Sequence, residues 1–81
     1  MDANIVINNK TIPISWENEI EKGAILYVYA PGMLKATAAV QFLLKQLGHH
    51  HLWYANEVTC KAGIFQFKIV EVEEADRSHS N

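Results

Sequence analysis

The sequence predicts a small α+β domain in which one helix packs on a mostly antiparallel sheet. Near both ends of the chain, apolar residues alternate with polar ones, as in strands that bury one face. Between these segments lies a stretch with apolar residues at a period of 3.6, as in an amphipathic helix. The chain has 81 residues, which suits one domain. The predicted order is therefore β-β-β-α-β-β.

Residues 4–15, NIVINNKTIPIS, predict a β-hairpin. Isoleucines alternate with polar residues on both strands, at Ile5, Ile7, Ile12 and Ile14. A two-residue turn at 9–10 would pair Ile7 with Ile12, whereas a turn at 8–9 would set Ile7 opposite Lys10. We expect the first register, because it pairs apolar residues with each other. Asparagine tolerates the positive φ that such a turn needs.

The next segments lead to the centre of the predicted sheet. Pro13 cannot donate a ladder hydrogen bond, so its strand should lie at a sheet edge or leave that position unpaired. Residues 15–23, SWENEIEKG, predict a polar connection with one short helical turn capped by Ser15. Residues 24–30, AILYVYA, are apolar on both faces, which is typical of a central strand. Pro31 and Gly32 end this strand.

A helix is predicted from Met33 to Leu47, followed by Gly48 where a C-terminal capping glycine belongs. Its apolar side is formed by Met33, Ala36, Val40, Leu43, Leu44 and Leu47. This spacing places the six side chains on the face that should meet the sheet.

Residues 52–61 and 64–74 predict a second hairpin that turns at Ala62-Gly63. Phe65, Phe67 and Ile69 alternate with polar residues, but the alternation slips at Ile69-Val70. The slip predicts a β-bulge or a strand whose later part is buried differently. The domain should span residues 1–74, and the polar residues 75–81, ADRSHSN, should form a flexible tail.

The composition predicts a soluble, cytoplasmic protein. The only cysteine, Cys60, cannot form an internal disulfide, which fits a reducing compartment. The N-terminal segment MDANIVINNK lacks the basic start and apolar run of a signal peptide. The apolar stretches are far shorter than the roughly 20 residues that cross a bilayer. We expect no membrane association.

Charge is distributed unevenly along the chain. Residues 1–21 carry a net charge of −3, residues 22–70 carry +4 and residues 71–81 carry −3. Either the acidic ends fold back and neutralise the basic centre, or the two signs lie on separate faces. Separate faces would give a dipolar surface that steers a charged partner.

Three consecutive histidines, residues 49–51, follow the predicted helix. His49 and His51 would share a face in extended chain, and Cys60 and Glu57 could complete a zinc site. However, the usual ligand spacings of zinc sites are missing. A solvated loop near the negative end of the helix dipole is the main alternative. A pH-responsive contact is the third interpretation, because histidine titrates near neutral pH.

The sequence predicts neither an enzyme nor a bound cofactor. Cys60 lies between Thr59 and Lys61 in a predicted strand, where a cysteine usually packs in the interior. Glutamates spaced two residues apart, at 17, 19 and 21 and at 71 and 73, are typical of a solvated face. No glycine-rich phosphate loop is present in the sequence.

The outer side of the predicted helix is the main candidate for a binding surface. Phe42 points about 160° away from Val40 at the centre of the buried side. Its neighbours there are Ala38 and two lysines, Lys35 and Lys45. We expect Phe42, Ala38 and Lys45, with Ala39, to contact a second copy or another protein. Trp16, beside the acidic run, is a further candidate contact residue.

These observations predict a small non-enzymatic protein-interaction module that associates with itself. An accessory or inhibitory role, of the kind found in phage or mobile elements, would suit a domain of this size. A nucleic-acid-binding protein is the first alternative. It would use Lys35, Lys45, Lys61 and Lys68 together with the histidines, and Trp53 and Tyr54 could stack on bases. A metal-binding protein that uses His49, His51 and Cys60 is the second alternative.

Overall fold

The computed structural model describes the backbone of residues 1–61 and 63–72, and the side chains of these residues outside 56–61. Five strands form one antiparallel sheet with a helix packed on it, which confirms the predicted class and order. The elements are β1 (Asp2–Ile7), β2 (Lys10–Ser15), β3 (Ile25–Tyr29), α1 (Met33–Gln46), β4 (Leu52–Lys61) and β5 (Ile64–Glu71). The predicted domain end at residue 74 and the predicted tail 75–81 lie outside the described residues.

The strand order in the sheet is β1-β2-β3-β5-β4. The predicted central position of β3 is confirmed, and β1 and β4 form the two edges. α1 leaves the end of β3 and packs across β1, β2, β3 and β4 on one face of the sheet. The chain then enters at the far edge as β4 and returns beside β3 as β5.

The core lies between α1 and this face of the sheet. The sheet contributes Ile5, Ile12, Ile14, Leu26, Val28, Leu52, Phe65, Phe67 and Ile69, and the helix contributes Ala36, Ala39, Val40, Leu43 and Leu44. The predicted helix face is therefore confirmed at its centre. It is wrong at its ends, because Met33 and Leu47 lie beyond the helical turns that pack on the sheet, and both are exposed. The expected partner contact of Ala39 is also wrong, since this residue is fully buried.

The predicted register of the first hairpin is wrong. Ile5 pairs with Ile12 and Ile7 pairs with Lys10, so the turn consists of Asn8 and Asn9. Both asparagines have positive φ, 49° and 66°, as a type I′ turn requires. The two registers place the same side chains on the core face, so alternation could not distinguish them. The ability of asparagine to adopt left-handed φ decided the outcome.

Pro13 lies at a position that β3 does not pair. β2 is an interior strand, but β3 pairs only with its last two residues, Ile14 and Ser15. In an antiparallel hairpin, hydrogen-bonded and non-hydrogen-bonded residue pairs alternate along the strands, counted from the turn. Pro13 is at a non-hydrogen-bonded position opposite β1, so its nitrogen points away from β1. On that side, the pairing with β3 has already ended. Of the two predicted solutions, the unpaired position is therefore the one adopted.

The predicted helical turn after Ser15 is wrong. Ser15 is still paired in the sheet, opposite Asp2 and Tyr27, and cannot act as a helix cap. Residues 16–24, all of them described, contain no helical turn. They end in a tight turn in which the Ala24 N–H donates to the Glu21 carbonyl over 2.9 Å.

The predicted glycine cap of α1 is confirmed. Gly48 has φ of 73°, and its N–H donates to the Lys45 carbonyl. The His49 N–H donates to the Leu44 carbonyl. These two bonds are those of a Schellman motif, and they fix the direction in which the chain leaves the helix.

The second hairpin turns where predicted, since Lys61 pairs with Ile64 and Gly63 has φ of 78°; Ala62 lies outside the described residues. The predicted bulge at Ile69-Val70 is wrong. Pairing with β4 continues through both residues, and Val70 is half-buried on the opposite face of the sheet. The other prediction, that the later part of this strand is buried differently, is correct. The irregularity of the hairpin lies in β4, between Glu57 and Cys60.

No helix in the described part of the chain is both long enough and apolar enough to cross a membrane.

The Asn8-Asn9 turn gives a direct test of the hairpin register. We expect Asn9→Val to lower the free energy of unfolding by about 1–2 kcal/mol, because a β-branched residue is strained at positive φ. For a domain of this size each kcal/mol lowers the melting temperature by about 4–8 °C. Asn4→Val is the matched control, since Asn4 is exposed in an extended strand. Equal melting temperatures for both variants would contradict this register.

Candidate interaction surface

An apolar row of side chains runs along the side of α1 that faces away from the sheet. It consists of Leu34, Ala38 and Phe42, each four residues from the next and therefore on one side of the helix. Leu34 is 88% exposed and Phe42 is 47% exposed. The predicted outward direction of Phe42 is confirmed. Leu34 was missed, although the same four-residue spacing counted back from Ala38 would have identified it.

A shallow hollow of about 160 Å³ lies on this row. It is lined by Ala38, Gln41, Phe42 and Lys45. The small Ala38 side chain leaves the floor low, while Phe42 and the aliphatic stem of Lys45 form walls. Together with Leu34, these four residues are called the outer helix surface below. Three of the predicted contact residues, Phe42, Ala38 and Lys45, therefore lie together.

A hydrogen bond connects one flank of the outer helix surface to the sheet. Gln41 Nε2 donates to the Tyr54 hydroxyl over 2.9 Å. The Tyr54 ring in turn packs edge-on against buried Phe67, with 5.6 Å between ring centroids. This hydrogen bond links a residue that lines the hollow to the edge strand β4.

The charge of α1 is positive. The helix contains Lys35 and Lys45 and no acidic residue. Lys45 is exposed beside Phe42, whereas Lys35 is partly buried. A partner surface should therefore be apolar or acidic where it meets Lys45.

Trp16, the fourth predicted contact residue, lies on a different surface. It packs against the core and lines a groove of about 430 Å³. Three exposed glutamates, Glu17, Glu19 and Glu21, also line this groove, together with Tyr27. The Trp16 indole Nε1 is buried and has no hydrogen-bond partner among the described residues. We refer to this region as the acidic groove.

One ion pair links the basic centre of the chain to its acidic C-terminal segment. Lys22 Nζ lies 3.1 Å from Glu71 Oε1, and both side chains are about half exposed. Exposed pairs of this kind contribute roughly 0–1 kcal/mol. The acidic and basic segments therefore meet at this point, while the three glutamates of the acidic groove stay clustered at the surface.

The lysines proposed for nucleic-acid binding are divided between the two layers. Lys35 and Lys45 lie on α1. Lys68 is exposed on the opposite side of the molecule, where it is paired with Ile25 and Ala55. The side chain of Lys61 lies outside the described set. The described lysines therefore do not form one basic surface.

The face of the sheet opposite α1, called the open sheet face, is not covered by any described element. It carries Tyr27, Tyr29, Gln66 and Lys68, and Trp53 lies beside it on the edge strand β4. Tyr29 is 44% exposed. β3 is apolar on both faces because one face packs in the core and the other carries partly exposed tyrosines. The sequence pattern alone did not distinguish this arrangement from a strand buried on both faces.

The structure does not bring Cys60 to the histidines. The rings of His49 and His51 lie edge to face, 5.9 Å apart. Cys60 pairs with Phe65 beside the β4–β5 turn, at the other end of β4. At about 3.3 Å per residue, the two ends are roughly 25 Å apart. The side chains of Cys60 and Glu57 are not described.

Among the described side chains, no group of three or more histidine, cysteine or acidic residues is arranged to hold a metal ion.

Comparison with protein-family models, with curated proteins and with solved structures found no match for this chain. Any functional inference must therefore come from the surfaces described above.

The separation of Cys60 from the histidines can be tested by zinc titration of the purified protein. We expect zinc binding to be weak, because the described residues bring only His49 and His51 together and a zinc site needs three or four ligands. His51→Ala should weaken it further. Cys60→Ser should leave binding unchanged. Equal weakening by both substitutions would contradict the separation, and a wild-type protein that binds no zinc would exclude the histidine site.

Proposed function

We propose that this protein is a non-enzymatic protein-interaction module that binds another protein surface through the outer helix surface. The supporting observation is the exposure of Leu34 and Phe42 on one row of α1, directed away from the sheet. Burying a leucine or phenylalanine side chain contributes about 1.5–3 kcal/mol. A partner that covers the row would gain most of this energy from Leu34, which is 88% exposed, and about half of it from Phe42, which is 47% exposed.

The surroundings of this row favour binding to a protein. The helix is fixed in place by its buried side, and Gln41 is bonded to Tyr54. The backbone of this surface therefore loses little conformational entropy when a partner packs on it. The hollow at Ala38 provides shape, and the ring of Phe42 provides an anchor of the kind that is enriched at interface centres.

The two alternatives receive less support from the geometry. A nucleic-acid surface needs several cations along one face, whereas the described lysines lie on opposite layers. A zinc site needs three or four converging ligands, whereas among the described side chains only His49 and His51 are close together.

Phe42→Asp tests the proposed function in the full chain. Tagged wild-type and variant chains would be produced in the native host, and the proteins retained by each would be quantified. We expect the wild type to retain a protein in near-stoichiometric amount, either untagged chain or a different protein. Loss of a buried aromatic anchor costs at least about 2 kcal/mol, so Phe42→Asp should reduce retention more than ten-fold.

Val6→Asp is the control, since Val6 is 64% exposed on β1, on the face of the sheet opposite α1. It should retain the same protein as the wild type. Circular dichroism should show that all three chains are folded. Equal retention by the wild type and Phe42→Asp, or no protein retained by the wild type, would refute the proposed function.

A further inference from the structure

We propose that the acidic groove is a second binding site, which takes an arginine-containing segment of another protein. This site is separate from the outer helix surface and goes beyond the proposed function. The groove has a volume of about 430 Å³, and ligand sites usually have volumes of about 300–1,000 Å³. Its walls combine negative charge with aromatic rings, which are the two features that bind a guanidinium group.

The negative charge of the acidic groove is not neutralised from within the described part of the chain. Glu17, Glu19 and Glu21 line the groove, and all three are exposed. Lys22 is the one cationic residue among the described residues that line it, and Lys22 Nζ lies 3.1 Å from Glu71 Oε1. No described cation forms an ion pair with the three glutamates. The groove therefore presents three negative charges to a partner.

The three carboxylates are spread along the groove. Glu17, Glu19 and Glu21 alternate with Asn18 and Ile20 in the sequence. A bound metal ion needs several ligands that converge on one point, and the described acidic residues contain no such group. Several cationic side chains along one extended segment match spread charges better than a single ion does. The distribution of the carboxylates therefore favours a polypeptide over a metal ion.

Two aromatic side chains, Trp16 and Tyr27, line the same groove. Neither ring is paired with another aromatic ring of the described residues. A guanidinium group stacks on the face of tryptophan or tyrosine, and its five N–H donors pair with carboxylates. The ammonium group of lysine is a strongly hydrated point charge and lacks this planar shape. Glutamates beside aromatic rings therefore favour arginine as the side chain that is bound.

Trp16 also has an unmatched hydrogen-bond donor. Its indole Nε1 is buried and has no hydrogen-bond partner among the described residues. Buried donors are nearly always paired, so an acceptor from outside the described residues is expected. A polypeptide in the groove brings backbone carbonyls, whereas a metal ion or a polyamine brings no acceptor.

The loop that forms the acidic groove is held to the rest of the domain on both sides. Ile20, in the middle of the loop, is buried in the core. At the start of the loop, the Trp16 N–H donates to the Met1 carbonyl over 2.8 Å. At its end, the Gly23 N–H donates to the Ile69 carbonyl over 2.8 Å. The backbone of the groove is therefore formed before a partner binds, which lowers the entropy cost of binding.

A short peptide in which three arginines alternate with alanines, with both ends blocked, is the probe for this site. Its binding to the full chain would be measured by isothermal titration calorimetry at low ionic strength, where exposed charges are screened least. We expect the wild type to bind this peptide and the affinity to fall as salt is added. A wild type that does not bind the peptide would overturn the inference.

Glu17→Gln/Glu19→Gln tests the carboxylates. Each exposed charge pair contributes about two- to five-fold in affinity, so the double variant should bind about four- to twenty-five-fold more weakly. The matched control is Val6→Lys/Gln46→Lys, which raises the net charge by the same two units at exposed positions outside the groove. The control should bind within about two-fold of the wild type, and circular dichroism should show all chains folded. Equal weakening in both double variants would overturn the groove as the site.

The fluorescence of Trp16 reports where the peptide binds. The chain contains two tryptophans, so Trp53→Phe leaves Trp16 as the remaining one. We expect the arginine peptide to change the emission of Trp16 with the same midpoint as the calorimetric titration. Binding heat without a change in this emission would place the peptide elsewhere and overturn the inference.

Two further ligands test the chemistry of the partner. The same peptide with lysine in place of arginine should bind about two- to five-fold more weakly, because lysine gains less from the aromatic rings. Spermidine carries positive charge without a guanidinium group or a backbone carbonyl, and should also bind more weakly. Equal affinity of the lysine peptide would overturn arginine as the bound side chain, and equal affinity of spermidine would overturn a polypeptide as the occupant.

Phe42→Asp separates this inference from the proposed function. It alters the outer helix surface and should bind the arginine peptide like the wild type. Loss of peptide binding in this variant would place the peptide on α1 and overturn the inference. Retention of another protein through Phe42 is measured separately, so either proposal can fail while the other holds.

Discussion

The burial of one side of α1 against one face of the sheet is the constraint on which the rest of the structure depends. Side chains such as Val40 and Leu43 are buried in the same core cluster as Leu26 and Phe67, and this packing fixes how the helix is rotated about its axis. Once the rotation is fixed, Leu34 and Phe42 must point away from the sheet. Their exposure therefore follows from the packing of the core, and changing it would require losing the core contacts.

The alanines of α1 have different effects on its two sides. Ala36 and Ala39 are fully buried, and their small side chains allow the helix to lie close to the sheet. Ala38 is on the outer side, where the same small volume leaves the floor of a hollow between larger neighbours. One residue type thus gives close packing below the helix and a recess above it. Both features require that the rotation of the helix is fixed by the core.

The sequence predicted the elements because periodicity identifies strands and helices directly, as with Phe65, Phe67 and the buried face of α1. It did not predict the first hairpin register, because both registers place the same isoleucines on the core face. The two registers differ in which residues form the turn, and the positive φ of Asn8 and Asn9 is not visible in the alternation of apolar residues. The irregularity between Glu57 and Cys60 has no pattern that marks it. Phe42 was found as an outward residue, but the hollow depends on where side chains meet in space.

The exposed apolar side chains of the helix and those of the sheet differ in how well water solvates them. The tyrosines of the open sheet face have hydroxyl groups that water can solvate, and Gln66 and Lys68 lie among them. Leu34 and Phe42 have no polar atoms, so their exposure is not compensated in this way. A partner that covers Leu34 and Phe42 therefore removes apolar surface from water without desolvating a hydroxyl group.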